Sequence, residues 1–154
     1  MNIRLDDLQG PEVATLLEEH LQDMYATSPP ESVHALDLNK LRQPGISFWT
    51  LWDQDQLAGC GALKQINNNH GELKSMRTAH GFRRRGVARL LLAHIIAEAR
   101  TRGYSRLSLE TGAMEFFAPA RRLYSENGFQ ICGPFEGYSE DPHSVFMTLD
   151  LGRI

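Results

Sequence analysis

Apolar positions recur along this chain in two periods, and the changes of period mark its elements. Residues 2–5 read as a short strand. Val13, Leu16, Leu17, Leu21 and Met24 then fall on one face of a helix. Pro11 suits the first turn of that helix, where its missing N–H costs no hydrogen bond, and Ser28-Pro29-Pro30 ends it. A second short helix is expected over residues 33–41, capped by Ser32 and stopped by Pro44-Gly45. The middle of the chain turns aromatic and β-branched, which predicts strands over residues 47–52, 57–66 and 72–78. The turn-forming runs Asp53-Gln54-Asp55-Gln56 and Asn67-Asn68-Asn69-His70-Gly71 separate them. These three strands are expected to form an antiparallel meander.

The helical period returns at Gly86. Ala88, Leu91, Leu92, Ile95, Ile96 and Ala99 share one face, and Gly103 is placed to end the helix. A strand over 106–110, a helix over 116–126 stopped by Asn127-Gly128, and strands over 129–132 and 145–149 complete the chain. A strand–helix–strand unit after a meander implies an α/β fold. The expected architecture is one domain, residues 1–154, with a mixed, largely antiparallel sheet of about six to seven strands and helices on both faces.

Composition narrows the function classes. With 154 residues and 42% hydrophobic content, the chain has no apolar run long enough for a membrane span. Its N-terminus lacks the apolar block of a signal peptide. Cys60 and Cys132 fit neither a disulfide framework nor a metal spacing, and both fall in strand patterns as small core residues. A reducing cytoplasm and no metal are therefore expected. A net charge of −3 gives no global drive toward nucleic acid. Against that acidic background, the cluster Arg83, Arg84, Arg85 and Arg89 points to a small anionic ligand.

The setting of that cluster is informative. A pyrophosphate needs convergent N–H groups, a positive field and close backbone approach. Arg83-Arg84-Arg85-Gly86-Val87-Ala88 leads straight into a helix, whose free N–H groups and dipole favour an anion. The segment resembles the coenzyme A signature of the GNAT superfamily of N-acetyltransferases, Gln/Arg-x-x-Gly-x-Gly/Ala. Tyr124-Ser125-Glu126-Asn127-Gly128-Phe129 is similar to the same superfamily's Leu-Tyr-x-x-x-Gly-Phe segment. The interval between the two accommodates a helix–strand–helix. Neither a Walker loop nor a dinucleotide fingerprint is present.

The resemblance implies acetyl-CoA as cosubstrate, held by Arg83, Arg84, Arg85, Gly86, Val87 and Ala88. It also implies a backbone rail at Met76, Arg77 and Thr78 for the pantetheine arm and thioester oxygen, and a contact near Phe117. His80 stands where many relatives carry proline. The acceptor is then a primary amine, on a small molecule or a protein or peptide. No nucleic-acid or membrane partner is expected, and a homodimer is compatible with the resemblance.

Acetyl transfer to an amine requires a neutral nitrogen, a stabilised oxyanion and a stabilised leaving thiolate. Glu72 is the candidate general base. It lies on the strand leading to the phosphate loop, at the offset that the resemblance implies for a base. Glu110, at the end of the next strand, is the competing carboxylate, placed to position the amine or to replace Glu72. Tyr124 is the candidate acid at the departing sulfur. His34, the loop Ser28-Pro29-Pro30-Glu31-Ser32 and the aromatics Phe48, Trp49 and Trp52 are candidates for the acceptor pocket. The turn-rich stretch over residues 133–143 either completes that pocket, lies on the surface or makes a dimer contact. The alternative to an enzyme is a non-catalytic acyl-CoA-binding sensor or partner module, which would need neither Glu72 nor Tyr124.

Overall fold

A computed structural model describes residues 1–30 and 38–152. Strand β1 (Asn2–Leu5) precedes helix α1 (Pro11–Thr27) and the short α2 (Leu38–Leu41). The meander follows as β2 (Ile46–Asp53), β3 (Gln56–Asn67) and β4 (His70–Thr78). Helix α3 (Val87–Thr101), β5 (Arg106–Gly112), α4 (Ala118–Glu126), β6 (Gln130–Cys132) and β7 (Ser144–Asp150) complete the fold. The seven strands form one sheet in the order β1-β2-β3-β4-β5-β7-β6. Among the described residues, only β4 and β5 pair in parallel; every other neighbouring pair is antiparallel.

Alternation along β3 divides the core. Cys60 and Ala62 join Val13 and Leu16 of α1, together with Phe48 and Leu41, on one face of the sheet. Leu63 points to the other face, where Leu91, Leu92, Ile95 and Ile96 of α3 pack with Leu73, Leu107 and Leu109. Gly59 and Gly61 also face α3. A Cβ on Gly59 would stand 2.6 Å from Val87 Cγ1 and 2.8 Å from the Arg77 carbonyl oxygen. The missing side chain lets the start of α3 sit directly on the sheet.

The sheet opens between β4 and β5. β4 and β5 pair from His70↔Arg106 to Leu73↔Leu109 and no further. Opposite that point, the β3–β4 register slips by one residue, so that Ser75 and Met76 together face Gly61. Ser75 takes a positive φ of 55°. A bulge of this kind bends its strand and strengthens the local twist. Here it carries the end of β4 away from β5 and leaves a cleft between them.

Several expectations need correction. Phe48 and Trp49 are buried in the two cores, and neither they nor Trp52 lines the cleft. β2 is separated from the opening by β3 and β4, and its faces are already covered. Trp52 instead lies beneath the Arg4 guanidinium, 5.2 Å from its ring centroid. Cys132 is not a core residue, because β6 is a three-residue edge strand and leaves it half-buried. The second helix lies within the described residues only over Leu38–Leu41. Among the described residues, no helix is long and apolar enough to cross a membrane.

Candidate active site

The cleft holds a cavity of about 110 Å³. Its walls come from Glu72, Lys74 and Met76 of β4, Glu110 and Gly112 of β5, and Tyr124 of α4. Phe117 also lines it, and its ring packs so closely on Gly112 that a Cβ there would fall 2.1 Å from the ring. Arg121 fixes this segment by donating to the Gly112 and Met114 carbonyls at 2.6 and 2.9 Å. α1 contributes His20 and Met24, and Ser28 follows them; the 133–143 stretch contributes Tyr138 and His143. The candidates Glu72, Met76, Glu110, Phe117 and Tyr124 are thus brought to one cavity. His34 lies outside the described residues.

The carboxylates differ in their surroundings. Glu72 is 2% exposed. Its Oε2 accepts the Tyr138 hydroxyl at 2.6 Å and the Lys74 ammonium at 3.0 Å. Lys74 Nζ also donates to the Tyr138 oxygen at 2.9 Å, closing a three-membered ring. Glu110 makes no ion pair among the described residues. Burial pushes its carboxyl up to about 7, and the Ser144 hydroxyl and, after it, the Lys74 charge only partly offset this.

Tyr124 is buried, and burial together with the charge of Glu110 raises its phenol far above the usual range. It stays protonated and able to donate at any physiological pH. Burial and the nearby Arg77 hold His20 down at about 4, so that it is neutral. Burial pushes the Cys60 thiol up to about 12, which leaves no thiolate for covalent chemistry.

The other end of the cleft meets the start of α3. Gly86 takes φ 80° as the cap residue and has no side chain bonded across the helix end. The first helical hydrogen bond runs from Leu90 N–H to the Gly86 carbonyl at 3.0 Å. The N–H groups of Val87, Ala88 and Arg89 therefore have no partner within the helix. Arg83, Arg84 and Arg85 form the exposed turn in front of them. Arg85 is drawn toward Asp53 at 3.5 Å and lies over the Phe82 ring at 4.8 Å. Free donors, a positive field and an open backbone are what a pyrophosphate needs. The unpaired edge of β4 beyond Leu73 offers main-chain groups to an extended arm. Coenzyme A fits this arrangement.

Arg77 departs from the expected backbone role in one respect. Its side chain is buried and forms an ion pair with Asp23 of α1. It also donates to His80 Nε2 at 2.7 Å. Asp23 lies 3.8 Å from Arg83 as well, so one carboxylate links α1 to the phosphate turn.

Lys74 and Asp23 escaped the sequence as site residues, and Tyr138 entered only as part of the 133–143 stretch. Lys74 shares the face of Glu72 by strand alternation and was findable on that ground. Tyr138 and Asp23 reach the site only through tertiary packing. Of the three readings of the 133–143 stretch, a wall of the cavity is the one its Tyr138 and His143 fill.

The comparisons agree with this geometry. Residues 13–129 match the model of the acetyltransferase (GNAT) family. The chain is 59% identical to the uncharacterized N-acetyltransferase YsnE of Bacillus subtilis, over 98% of this chain and 100% of that protein. It is 52% identical to the uncharacterized N-acetyltransferase YedL of Escherichia coli, over 97% and 94%. A GNAT family acetyltransferase from Elizabethkingia anophelis, solved with acetyl-CoA bound, shares the fold at a TM-score of 0.69 and 18% identity, over 97% of each chain. The pairing of an open β4–β5 cleft with a phosphate-ready helix start thus has its explanation: the chain belongs to the GNAT family and is an acetyl-CoA-dependent N-acetyltransferase.

Proposed function

We propose that this enzyme transfers acetyl from acetyl-CoA to a primary amine by direct attack in a ternary complex. The observation that carries this reading is the meeting of two carboxylates and a protonated phenol at one cavity, where β4 and β5 separate. Arg83–Arg85 and the N–H groups of Gly86–Ala88 hold the pyrophosphate. The β4 edge at Met76–Thr78 aligns the pantetheine arm, and a strand N–H there polarises the thioester oxygen. Phe117 closes over the arm beside Gly112.

The acceptor enters as an ammonium, gives one proton to a carboxylate of the cleft, and attacks as the free amine. Glu72 and Glu110 are the groups available for this. Tyr124 faces the departing sulfur. A thiol ordinarily titrates near 8.5, well below this buried phenol. Tyr124 therefore stabilises the thiolate as a hydrogen-bond donor, without surrendering its proton outright. Cys60 supplies no thiolate, because it is protonated in the core. The two free cysteines support a cytoplasmic setting.

A thiol-release assay with acetyl-CoA and a panel of primary amines tests the reading. Saturable, amine-dependent release supports it; release independent of every amine overturns it. Tyr124→Phe is expected to lower kcat by about tenfold to a hundredfold with acetyl-CoA affinity kept. An unchanged kcat would remove Tyr124 from the mechanism.

A further inference from the structure

The two carboxylates of the cleft do different work. We propose that Glu110 receives the acceptor's ammonium group and takes its proton, while Glu72, locked by Lys74 and Tyr138, is a positioning residue. The proposal rests on the amine-acetylation reading above and divides its labour between named side chains.

Glu72 is badly placed to accept a proton. Its Oε2 already holds two donors, at 2.6 and 3.0 Å, and its side chain is 3% exposed beside a Lys74 side chain that is 8% exposed. Protonating it would take the anion away from a buried ammonium, which is a large cost. The ring through Tyr138 ties the 133–143 stretch to β4 by the bond from Tyr138 to Glu72. It shapes the wall of the cavity rather than reacting in it.

Glu110 has the opposite character. It is the first residue of β5 beyond the last β4–β5 pair, Leu73↔Leu109, so it stands where the cleft opens. It lines the cavity with Tyr124, the candidate donor to the sulfur, and has no cationic partner within ion-pair distance among the described residues. The charged and titratable groups around it are Glu72 and Lys74 of β4, Tyr124 of α4, His20 of α1, and Tyr138, Asp141 and His143 before β7. Lys74 is held by Glu72, which leaves Glu110 as the anion an incoming ammonium meets. Its carboxyl, raised by burial to about 7, is a far better base than an exposed glutamate.

The step balances. The ammonium gives one proton to Glu110, and the freed nitrogen lone pair forms the C–N bond at the thioester carbon. The C–S bond then breaks, the nitrogen's second proton goes to the departing sulfur, and Glu110 releases its proton to solvent.

The test uses the intact enzyme, acetyl-CoA and the best amine of the panel, with kcat/KM followed across the neutral and alkaline range. Wild-type turnover on any amine tests the underlying activity; the shape of the profiles tests this proposal. The wild-type rate should rise through an inflection near neutrality, separate from the amine's own titration near 10.4. Glu110→Gln should lower kcat by about a hundredfold or more and abolish that inflection, while acetyl-CoA still binds. Small carboxylates such as formate should restore part of the rate to Glu110→Ala. Glu72→Gln should keep the inflection and act mainly on the amine KM. A wild-type profile without the inflection would overturn the proposal, whatever the variants do. So would its survival in Glu110→Gln, or its loss in Glu72→Gln alone.

Discussion

Tyr138 donates its hydroxyl to Glu72 across 2.6 Å, and 66 positions of chain separate the two residues. The bond places a turn-rich loop against the middle of the sheet, where Phe135 and Tyr138 also pack on the Phe146 ring. Tyr138→Phe keeps that packing and removes only the hydroxyl, leaving Glu72 with Lys74 alone. We expect a stability loss of about 1–3 kcal/mol, in the range for a buried hydrogen bond to a charged group. The amine KM should rise several-fold while the acetyl-CoA KM stays put. Chemical denaturation and steady-state kinetics with each substrate varied check the two halves; equal movement of both KM values would argue against a role confined to the acceptor side.

The Asp23–Arg77 pair makes a pH-dependent tie between α1 and β4. Burial raises the Asp23 carboxyl, but the hydrogen bond and charge of Arg77 outweigh this and leave it below its ordinary value. A carboxyl depressed in the folded state stabilises the fold above its unfolded pKa of about 3.9, and that contribution is lost as pH falls through the folded value. Asp23→Asn should cost about 2–3 kcal/mol at neutral pH. It leaves the buried Arg77 unpaired, and the figure is discounted because Asp23 itself is 28% exposed. The difference from wild type should shrink in acid. Melting temperatures of both proteins across the acidic range decide it, and a constant difference would rule out this linkage.

What the sequence makes legible here is local, and what it hides is assembled from a distance. The six positions expected on one face of α3 are nearly those that pack: Leu91, Leu92, Ile95, Ile96 and Ala99 are buried, and Val87 rather than Ala88 completes the set. That set follows from a 3.6-residue period and needs no knowledge of the partner surface. The Arg83–Ala88 turn is equally local, because Gly86 and the helix start adjoin it. The bulge at Ser75 leaves no such mark. An alternating strand with one extra residue reads as an ordinary strand until its partner, β3, shows the slip. Glu72 was found by its offset, but its bonding depends on Tyr138, which a sequence offset cannot supply. The aromatics of β2 were expected near the acceptor from their position in the chain. The order of strands places them behind β3 and β4 instead.

Gly59 tests how far the phosphate-binding end depends on close packing. A Cβ there meets Val87 Cγ1 at 2.6 Å and the Arg77 carbonyl at 2.8 Å, and a backbone atom cannot swing aside as a side-chain end can. Val87 is the first residue of α3, so relief by movement displaces the helix start. Gly59→Ala should destabilise the protein by about 1–3 kcal/mol, the range for overpacking a tight site, and should raise the acetyl-CoA KM more than the amine KM. Calorimetric titration with coenzyme A, beside a thermal melt, separates the effects. Unaltered coenzyme A affinity in a folded variant would show that the helix start tolerates the shift.

Glu110 yields the last prediction, in which activity and stability move in opposite directions. Its carboxyl is raised by burial from an ordinary 4.5 to about 7. For an acid whose folded pKa is raised, the protonated form is favoured in the fold, so stability is lost as pH climbs from about 4.5 to about 7 and stays low above it. One pKa unit corresponds to about 1.4 kcal/mol, which puts the cost of carrying the ionised group at about 3–4 kcal/mol in neutral to alkaline solution. Glu110→Gln removes that charge while keeping shape and polarity. It should therefore melt higher than wild type at pH values above the folded pKa and much the same in acid, even as turnover falls. Paired melts in acid and in mild alkali measure this directly. A variant no more stable than wild type in alkali would mean that the ionised carboxylate is solvated or paired in the folded enzyme, and would weaken its claim to be the base.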